Sequence, residues 1–396
     1  MQPASEMPSL QIVITVPSLA PEFGGPAVKA RQLCQELRLL GSRPTLITVG
    51  QAAGAIGLPG MGSFHGTPIP RRVAPLAAAV AQADVVHILG YRDPLGTVAA
   101  YLARRRRLPY VVEPVGMHRR RLRSGGLKSL YDGLLGRGVI RGAACVIATS
   151  RLEATELLDG RVPAERIQLR PNGVDLEDLL PLPPRGALRR RLGIPAHVPL
   201  VLALGRIARK KGLLDLARAL AALDGIRALV VGPDAADGTL EALLEIRERL
   251  GLQSRLVVIP RGMWGEEKAQ AFADADLFCL PSANENFGNA AAEAAACGLP
   301  VVLSDQCGAA EWLDPRATLV VPYAAPRALA RALELALLKG SLTAPAREAA
   351  AGLARSLSWQ ELARRQLAIY RSVVVASDRS GPRRRYLAAD ELEVER

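Results

Sequence analysis

Short apolar runs alternate with longer helical patterns along almost the whole chain, and this alternation constrains the fold more than any other feature. Near-continuous apolar runs of this length are typical of strands buried on both faces of a parallel sheet. Helical patterns such as Val28–Leu40 provide the crossovers that parallel strands require. The predicted strands are Leu10–Val16, Thr45–Val49, Asp84–Leu89, Tyr110–Glu113, Cys145–Ala148, Leu200–Leu204, Ala228–Val231, Leu256–Ile259, Leu277–Leu280 and Val301–Ser304.

A proline-rich stretch, Asp178–Gly186, divides this pattern into two halves. Proline fixes φ and lacks an N–H donor, so the stretch cannot continue a helix or a strand. The length of 396 residues also suits two domains of ordinary size. We therefore predict an α/β protein with two doubly wound, Rossmann-like domains that face each other across a cleft, with ligands at the carboxyl ends of the strands.

The predicted domain boundaries follow from this division. They are an N-terminal domain over 1–178, a linker over 179–186, a C-terminal domain over 187–357, a helix over 358–376 that returns to the N-terminal domain, and a charged tail over 377–396. Residues 44–70 carry no charged side chain, but their prolines and glycines interrupt any membrane-spanning helix. We predict a strand followed by a loop there.

Positive charge is concentrated in one part of the chain. The net charge is +13, and residues 101–141 hold 11 Lys and Arg against two Asp and Glu. Two clusters, Arg104–Arg107 and residues 119–123, dominate this region. They indicate either a solvated basic surface or contact with an anionic membrane surface or acceptor, where each basic residue contributes about 1 kcal/mol. No aromatic residues interleave with the arginines, so no nucleic-acid partner is predicted.

The cysteines and histidines do not form a metal or disulfide pattern. None of the five cysteines has C-x-x-C spacing, and the four histidines do not cluster with them. Free thiols are typical of a reducing cytoplasm. The first ten residues lack the basic and apolar regions of a secretory signal. We expect a cytoplasmic protein without a metal site, peripheral on the inner face of the cell membrane if the arginine clusters bind lipid.

The segment from Leu280 to Val302 is the most informative for chemistry. Its pattern predicts the end of a strand, a loop that contains Glu285, and a helix that begins near Gly288 and contains Glu293. Small residues in the first helical turn allow a ligand to approach, and the free N–H groups there form an anion site. The segment therefore predicts a place for a sugar hydroxyl or phosphate beside two carboxylates.

A second segment supplies positive charge at the end of another predicted strand. Arg206 follows that strand, and Lys210 and Lys211 come shortly after it. Cations in this position can stabilise the negative charge that develops on a diphosphate leaving group. Gly24 and Gly25 follow the first strand, where the missing Cβ atoms permit close approach of the backbone to a ligand.

These segments resemble the retaining glycosyltransferase family 4, also called glycosyl transferases group 1, which has the GT-B fold. The most specific similarity is the pair Glu285 and Glu293 with seven residues between them, continued by Ala296–Val302. The resemblance covers nearly the whole chain. Supporting similarities lie at Gly205–Arg206, Lys210–Gly212, Pro171–Asp175 and Asp84–His87.

The resemblance implies a role for each matching residue. Glu285 would lie beside the transferred sugar, and Glu293 would hold the ribose hydroxyls. Arg206 and Lys211 would bind the diphosphate. The implied catalytic residues are Glu285, Arg206 and Lys211, and the implied substrate-binding residues are Gly24, Gly25, His118, Glu293, Phe287, Gly288 and Asn289. One departure concerns the acceptor side: Val115 stands where many family members carry histidine, and His118 follows three residues later.

The resemblance further implies a retaining, metal-independent hexosyltransferase without a cofactor. It would move a sugar from a nucleotide diphosphate donor to a hydroxyl acceptor. The basic region leads us to expect a lipid-linked acceptor, or a polysaccharide or glycolipid precursor, at the cytoplasmic membrane face. Two alternatives remain open: a nucleotide-sugar epimerase of the same fold, and a non-catalytic basic protein that binds membranes.

Overall fold

A computed structural model describes residues 9–20, 23–64, 67–115, 137–177, 179–338 and 340–380. The chain forms two compact units. The first unit comprises Met1–Ile147, Val162–Gln168 and Ala363–Arg396, and the second comprises Ala148–Arg161 and Leu169–Leu362. None of the described helices is both long and apolar enough to cross a membrane.

A seven-stranded sheet forms the centre of the first unit. Its strands are β1 (Gln11–Thr15), β2 (Arg43–Val49), β3 (Ile56–Leu58), β6 (Val85–Leu89), β7 (Tyr110–Glu113), β8 (Cys145–Ala148) and β9 (Ile167–Leu169). Their order is β3-β2-β1-β6-β7-β8-β9, and the pairs from β3 to β8 are parallel. A separate antiparallel pair consists of β4 (Gly60–Phe64) and β5 (Thr67–Pro70).

The helices of the first unit follow the strands along the chain. They are α1 (Gly25–Leu39), α2 (Ala74–Gln82), α3 (Pro94–Arg105) and α4 (Arg137–Arg141). The predicted helix at Val28–Leu40 is present as α1, which begins three residues earlier because Pro26 suits the first turn of a helix. Leu33 and Leu37 of α1 are fully buried in the core against the sheet.

A six-stranded parallel sheet forms the centre of the second unit. Its strands are β10 (Leu200–Leu204), β11 (Arg227–Val231), β12 (Leu256–Ile259), β13 (Leu277–Leu280), β14 (Val301–Ser304) and β15 (Thr318–Val321). Their order is β12-β11-β10-β13-β14-β15. The helices are α5 (Arg151–Asp159), α6 (Ala187–Arg191), α7 (Leu213–Ala221), α8 (Thr239–Arg249), α9 (Gly265–Asp274), α10 (Asn289–Ala296), α11 (Pro326–Leu338) and α12 (Thr343–Ser356). Two core clusters, which contain opposite-facing residues of β10 such as Leu202 and Val201, enclose this sheet.

The last helix, α13 (Trp359–Ser380), contributes to the first unit from Ala363 onward. Tyr370 of α13 is fully buried, and its hydroxyl lies 2.7 Å from Nδ1 of His87 on β6. The C-terminal helix is thus attached to the first sheet by a buried polar contact as well as by apolar packing.

The sequence prediction of an α/β fold with two Rossmann-like domains is confirmed. All ten predicted strands are present, with ends within two residues of the predicted ones. The prediction of a loop over residues 50–70 is wrong, because β3, β4 and β5 lie there. Proline is tolerated in these strands because β4 and β5 form only a two-stranded hairpin, in which Pro68 pairs with Ser63.

The division into units differs from the predicted boundary at residue 178. Residues 148–161 and 169–362, including the predicted linker, belong to the second unit. Trp312 donates its indole N–H to the Thr149 carbonyl oxygen at 2.9 Å, and the backbone N–H of Arg151 donates to Glu311 at 2.6 Å. These contacts join residues about 160 positions apart, which sequence periodicity does not register.

Candidate active site

The order of the second sheet reverses between β10 and β13, which marks a candidate ligand site. The chain winds outward from β10 through β11 and β12, and then continues on the other side of β10 with β13. Ligands of doubly wound sheets bind at the carboxyl ends of the strands at such a reversal. Arg206 and Lys211 follow β10, and Glu285 follows β13. The fold therefore brings the three predicted catalytic residues to this point.

Lys211 and Glu285 form an ion pair at the reversal point. The Lys211 Nζ lies 2.5 Å from the Glu285 Oε2, and the two side chains are 14% and 17% exposed. Burial by itself raises the pKa of the Glu285 carboxyl. The cations of Lys211, Lys210 and Arg206 outweigh burial and hold that pKa below its ordinary value. Glu285 is therefore an anion at neutral pH.

Gly212 allows the turn that carries Lys211 to pack against the loop after β13. Its φ is +66°, and a Cβ atom there would overlap the carbonyl oxygen of Pro281. The backbone N–H of Ala283 donates to the Lys210 carbonyl oxygen at 2.6 Å and holds the same two segments together. Only glycine satisfies both the conformation and the close approach at residue 212.

The backbone of Glu285 is held on both sides. Its N–H donates to the Gln306 carbonyl oxygen at 2.9 Å, and its own carbonyl oxygen accepts from the Gly308 N–H at 2.8 Å. These hydrogen bonds form a bridge to the segment after β14. These backbone hydrogen bonds hold residue 285 in place, and the ion pair with Lys211 orients its carboxylate.

The N-terminus of α10 lies immediately after Glu285. Gly288 occupies the N-cap position with φ +100°, and no described side chain caps this end of the helix. The following Asn289 is partly exposed. The first-turn N–H groups can therefore bind an anion. The side chain of Phe287 belongs to the core, and its carbonyl oxygen accepts a hydrogen bond from the Cys307 thiol at 3.3 Å.

Glu293 lies in the second turn of α10 and is paired with Lys268 of α9. The Lys268 Nζ lies 2.7 Å from the Glu293 Oε2, and the two side chains are 18% and 9% exposed. Burial raises the pKa of Glu293, Lys268 opposes this, and the carboxylate of Asp175 adds to it, so the pKa remains above its ordinary value. Sequence reasoning missed Lys268, because nothing distinguishes it from any other lysine of an amphipathic helix.

The segment Pro171–Asp175 also reaches this site. The Asn172 Nδ2 donates to the Asn289 Oδ1 at 3.0 Å, and Asp175 acts electrostatically on Glu293. The sequence pattern alone is typical of a turn between domains. Its match to the family motif was the only available signal that this segment contributes to the site.

The remaining predicted site residues are not part of this cluster. Gly24 and Gly25 belong to the first unit, where Gly24 is the N-cap residue of α1 and no described side chain caps that helix. His118 and the cluster 119–123 lie outside the described residues. In the described part of the chain, no group of three His, Cys, Asp or Glu residues is arranged to hold a metal ion.

Two sequence families match successive parts of the chain. Residues 184–352 match the family described as glycosyl transferases group 1, and residues 24–173 match the glycosyl transferase 4-like domain. A D-inositol 3-phosphate glycosyltransferase of Mycobacteroides abscessus is 30% identical over 329 residues, which are 78% of this chain and 73% of the relative. A protein of the same name from Kineococcus radiotolerans is 33% identical over 273 residues, but the match covers only 62% of this chain and 60% of the relative.

Solved structures with low sequence identity share the fold. A glycosyltransferase of Rickettsia africae has a TM-score of 0.74 and 20% identity, with 92% of this chain and 99% of that chain covered. The Anabaena protein HepE in complex with UDP-glucose also has a TM-score of 0.74, with 21% identity and coverage of 92% and 100%. These similarities establish a GT-B fold.

Proposed function

The chain belongs to the glycosyl transferases group 1 family, and on this premise we propose that it transfers a sugar from a nucleotide diphosphate donor to a hydroxyl acceptor. The observation that carries the proposal is the Lys211–Glu285 pair at the reversal point of the second sheet. It lies directly before the uncapped N-terminus of α10. A cation, a carboxylate and free N–H groups in one place suit a phosphorylated sugar.

In this proposal, the positive groups bind the diphosphate. Arg206 is exposed and makes no hydrogen bond or ion pair with the described residues, so its guanidinium is available to phosphate oxygens. Lys211 and the first-turn N–H groups of α10 add to the positive potential. Negative charge grows on the diphosphate as the sugar leaves, and these groups stabilise it in the transition state. They would replace the charge of a metal ion.

The two carboxylates have separate roles. Glu285 remains an anion, so it can accept hydrogen bonds from sugar hydroxyls and stabilise the positive charge of an oxocarbenium-like transition state. Glu293 would accept hydrogen bonds from the ribose hydroxyls. We further propose that the anomeric configuration is retained, with a leaving phosphate oxygen accepting the proton of the attacking hydroxyl.

The acceptor is proposed to carry both a hydroxyl and a phosphate. Several relatives are named D-inositol 3-phosphate glycosyltransferases, which favours a phosphorylated alcohol. The net charge of +13 and the exposed arginines Arg104–Arg107 also favour an anionic molecule. A lipid-linked phosphate at the inner membrane face and a soluble inositol phosphate share this chemistry. Cytoplasmic and peripheral-membrane location are parts of the same proposal.

Release of nucleoside diphosphate from UDP-, GDP- and ADP-sugars tests the proposal. Each donor is offered with inositol phosphate, with a polyprenyl phosphate in vesicles, or without acceptor. Lys211→Ala and Glu285→Gln should each lower kcat by about 10²–10³. Arg209→Ala removes a cation from the same turn but has no hydrogen bond to Glu285, so it should change kcat less than about twofold.

Other outcomes would select the alternatives. An acceptor-independent change of the sugar, with no release of nucleotide, indicates an epimerase. Vesicle binding together with background turnover of every donor indicates a non-catalytic binding protein. Equal activity of the wild type and both site variants would contradict the site. Inversion of the anomeric configuration, measured by NMR of the product, would contradict the retaining mechanism.

A further inference from the structure

Trp264 is an exposed aromatic residue beside the proposed donor site. It is 76% exposed, the largest exposed fraction among the large hydrophobic side chains of the described residues. The chain has three tryptophans. Trp359 is buried, and the indole N–H of Trp312 donates to the Thr149 carbonyl oxygen. Leaving an indole in water forgoes the free energy of its burial, so this position calls for an explanation.

The indole ring of Trp264 packs against the backbone of Gly262. A Cβ atom at Gly262 would overlap the Cη2 and Cζ2 atoms of the ring, so the benzo ring lies directly over this glycine. The segment is held in place because Arg261 forms two hydrogen bonds of 2.7 Å with Glu267. One side of the ring is therefore supported while most of its surface remains open to solvent.

The helix that begins at Trp264 also carries the lysine that pairs with Glu293, the carboxylate that would hold the ribose. Trp264 is the N-cap residue of α9, and the Lys268 N–H approaches its carbonyl oxygen across the first turn. Lys268 in turn contacts Glu293 at 2.7 Å. One helical turn rises about 5.4 Å. A nucleobase is attached directly to its ribose, so a ribose held by Glu293 would bring its base to the region of the first turn of α9, at whose start Trp264 lies.

We propose that Trp264 is the platform on which the nucleobase of the donor stacks. This inference rests on the proposed function, because it needs the ribose at Glu293. Stacking on an aromatic ring is tolerant of base identity, since every base has a π-face. The open ring surface therefore contributes affinity for the nucleoside part of the donor and none for its diphosphate.

Binding of UDP, GDP, ADP and inorganic pyrophosphate to the full chain tests this inference by calorimetry. Trp264→Ala should lower the affinity for the nucleoside diphosphates about ten- to hundredfold and leave the affinity for pyrophosphate unchanged. Trp264→Phe retains a ring and should stay within about threefold of the wild type. Val320→Ala, another exposed apolar residue on β15 of the same sheet, is the matched control and should have no effect. In the wild type, nucleotide should also protect Trp264 from quenching by acrylamide.

Three results would overturn the inference. The first is unchanged nucleoside diphosphate affinity in Trp264→Ala. The second is an equal loss of pyrophosphate affinity, which would indicate a structural role for the ring. The third is protection of Trp264 by anionic vesicles but not by nucleotides. Failure of the wild type to bind pyrophosphate or any nucleotide would overturn the proposed donor site itself, and the stacking platform with it.

Discussion

Two glutamates of the candidate site have opposite pKa shifts although both are largely buried. Glu285 faces Lys211, with Lys210 and Arg206 near it, and its pKa is lowered. Among the described cations, Lys268 is the one that acts on Glu293, and the carboxylate of Asp175 opposes it, so burial prevails and the pKa of Glu293 is raised. The balance of neighbouring charges, more than the depth of burial, decides which carboxylate titrates first as the pH falls.

The pKa of Glu293 leads to a pH-dependent prediction. Lys268→Met removes the cation that opposes burial, so the pKa of Glu293 should rise further. A protonated carboxyl loses acceptor capacity for the ribose hydroxyls, so nucleotide affinity is lost as the pH falls through this pKa. The acid limb of a plot of nucleoside diphosphate affinity, measured from about pH 5 to 8, should move to higher pH in the variant.

Two further variants separate this effect from a change in folding. Lys268→Arg keeps the cation and should keep the pH profile of the wild type. Glu293→Gln has no carboxylate and should bind weakly with no acid limb. An unchanged acid limb in Lys268→Met would show that Lys268 does not control the ionisation of Glu293.

At the scale of the elements, the site is built from segments that follow strands. The turn after β10 supplies the cations, and the loop after β13 supplies Glu285. Each is held by backbone contacts with its neighbour, through Gly212 against Pro281 and through the bridge of Glu285 to Cys307. Precise placement of long side chains therefore depends on these backbone contacts, and glycine is essential to the first of them.

A matched pair of glycine variants tests the role of the turn. Gly212 and Gly225 both have φ near +70°, but a Cβ at Gly225 meets nothing within 4 Å, whereas one at Gly212 overlaps the Pro281 carbonyl oxygen. Gly225→Ala should cost about 1–2 kcal/mol of unfolding free energy from backbone strain alone. Gly212→Ala should cost about 1–3 kcal/mol more because of the overlap.

Urea denaturation measures both costs, and calorimetry measures nucleotide affinity. Because Gly212→Ala displaces Lys211, it should also weaken nucleoside diphosphate binding, whereas Gly225→Ala should not. Equal destabilisation by the two substitutions would mean that the turn does not need its close approach to the loop after β13.

The strands show which elements a sequence pattern can predict. Buried parallel strands such as β10 and β13 are continuous apolar runs and were predicted within a residue or two. The short strands β3, β4, β5, β9 and β15 were missed. The glycines and prolines of the first three are typical of loops. Such strands form because neighbouring strands accept their hydrogen bonds, and that pairing is not encoded in local periodicity.

At the scale of the whole molecule, an excess of positive charge also lies outside the proposed donor site. The cluster Arg104–Arg107 begins in the last turn of α3 in the first unit and continues past its end, and all four side chains are exposed. Arg104 also donates to the Gly138 carbonyl oxygen at 3.1 Å, so it has a structural contact of its own. Arg105 donates to the Tyr101 hydroxyl at 3.3 Å. The exposed side chains of Arg105, Arg106 and Arg107 can face an anionic surface.

Vesicle pelleting tests whether this charge attracts membranes. Changing Arg105, Arg106 and Arg107 together to Gln should lower binding to anionic vesicles, by about 1 kcal/mol for each arginine near the surface. The control changes the exposed Arg43, Arg71 and Arg72 of the same unit to Gln, with an equal loss of net charge. Equal pelleting of the two variants would show that only the net charge matters, and unchanged pelleting would leave the cluster as a solvated surface.

The sequence by itself determined the class of the fold, most of its strands, and the residue types that meet at the site. Apolar periodicity is local, so it predicts elements, and the motif around Glu285 and Glu293 is contiguous in the chain. Only the tertiary structure showed that Lys268 forms an ion pair with Glu293 and that the Asn172 side chain donates to Asn289. It also assigned residues 148–161 to the second unit. These contacts join side chains 25 or more positions apart, through packing and charge pairing that exist only after the strands assemble.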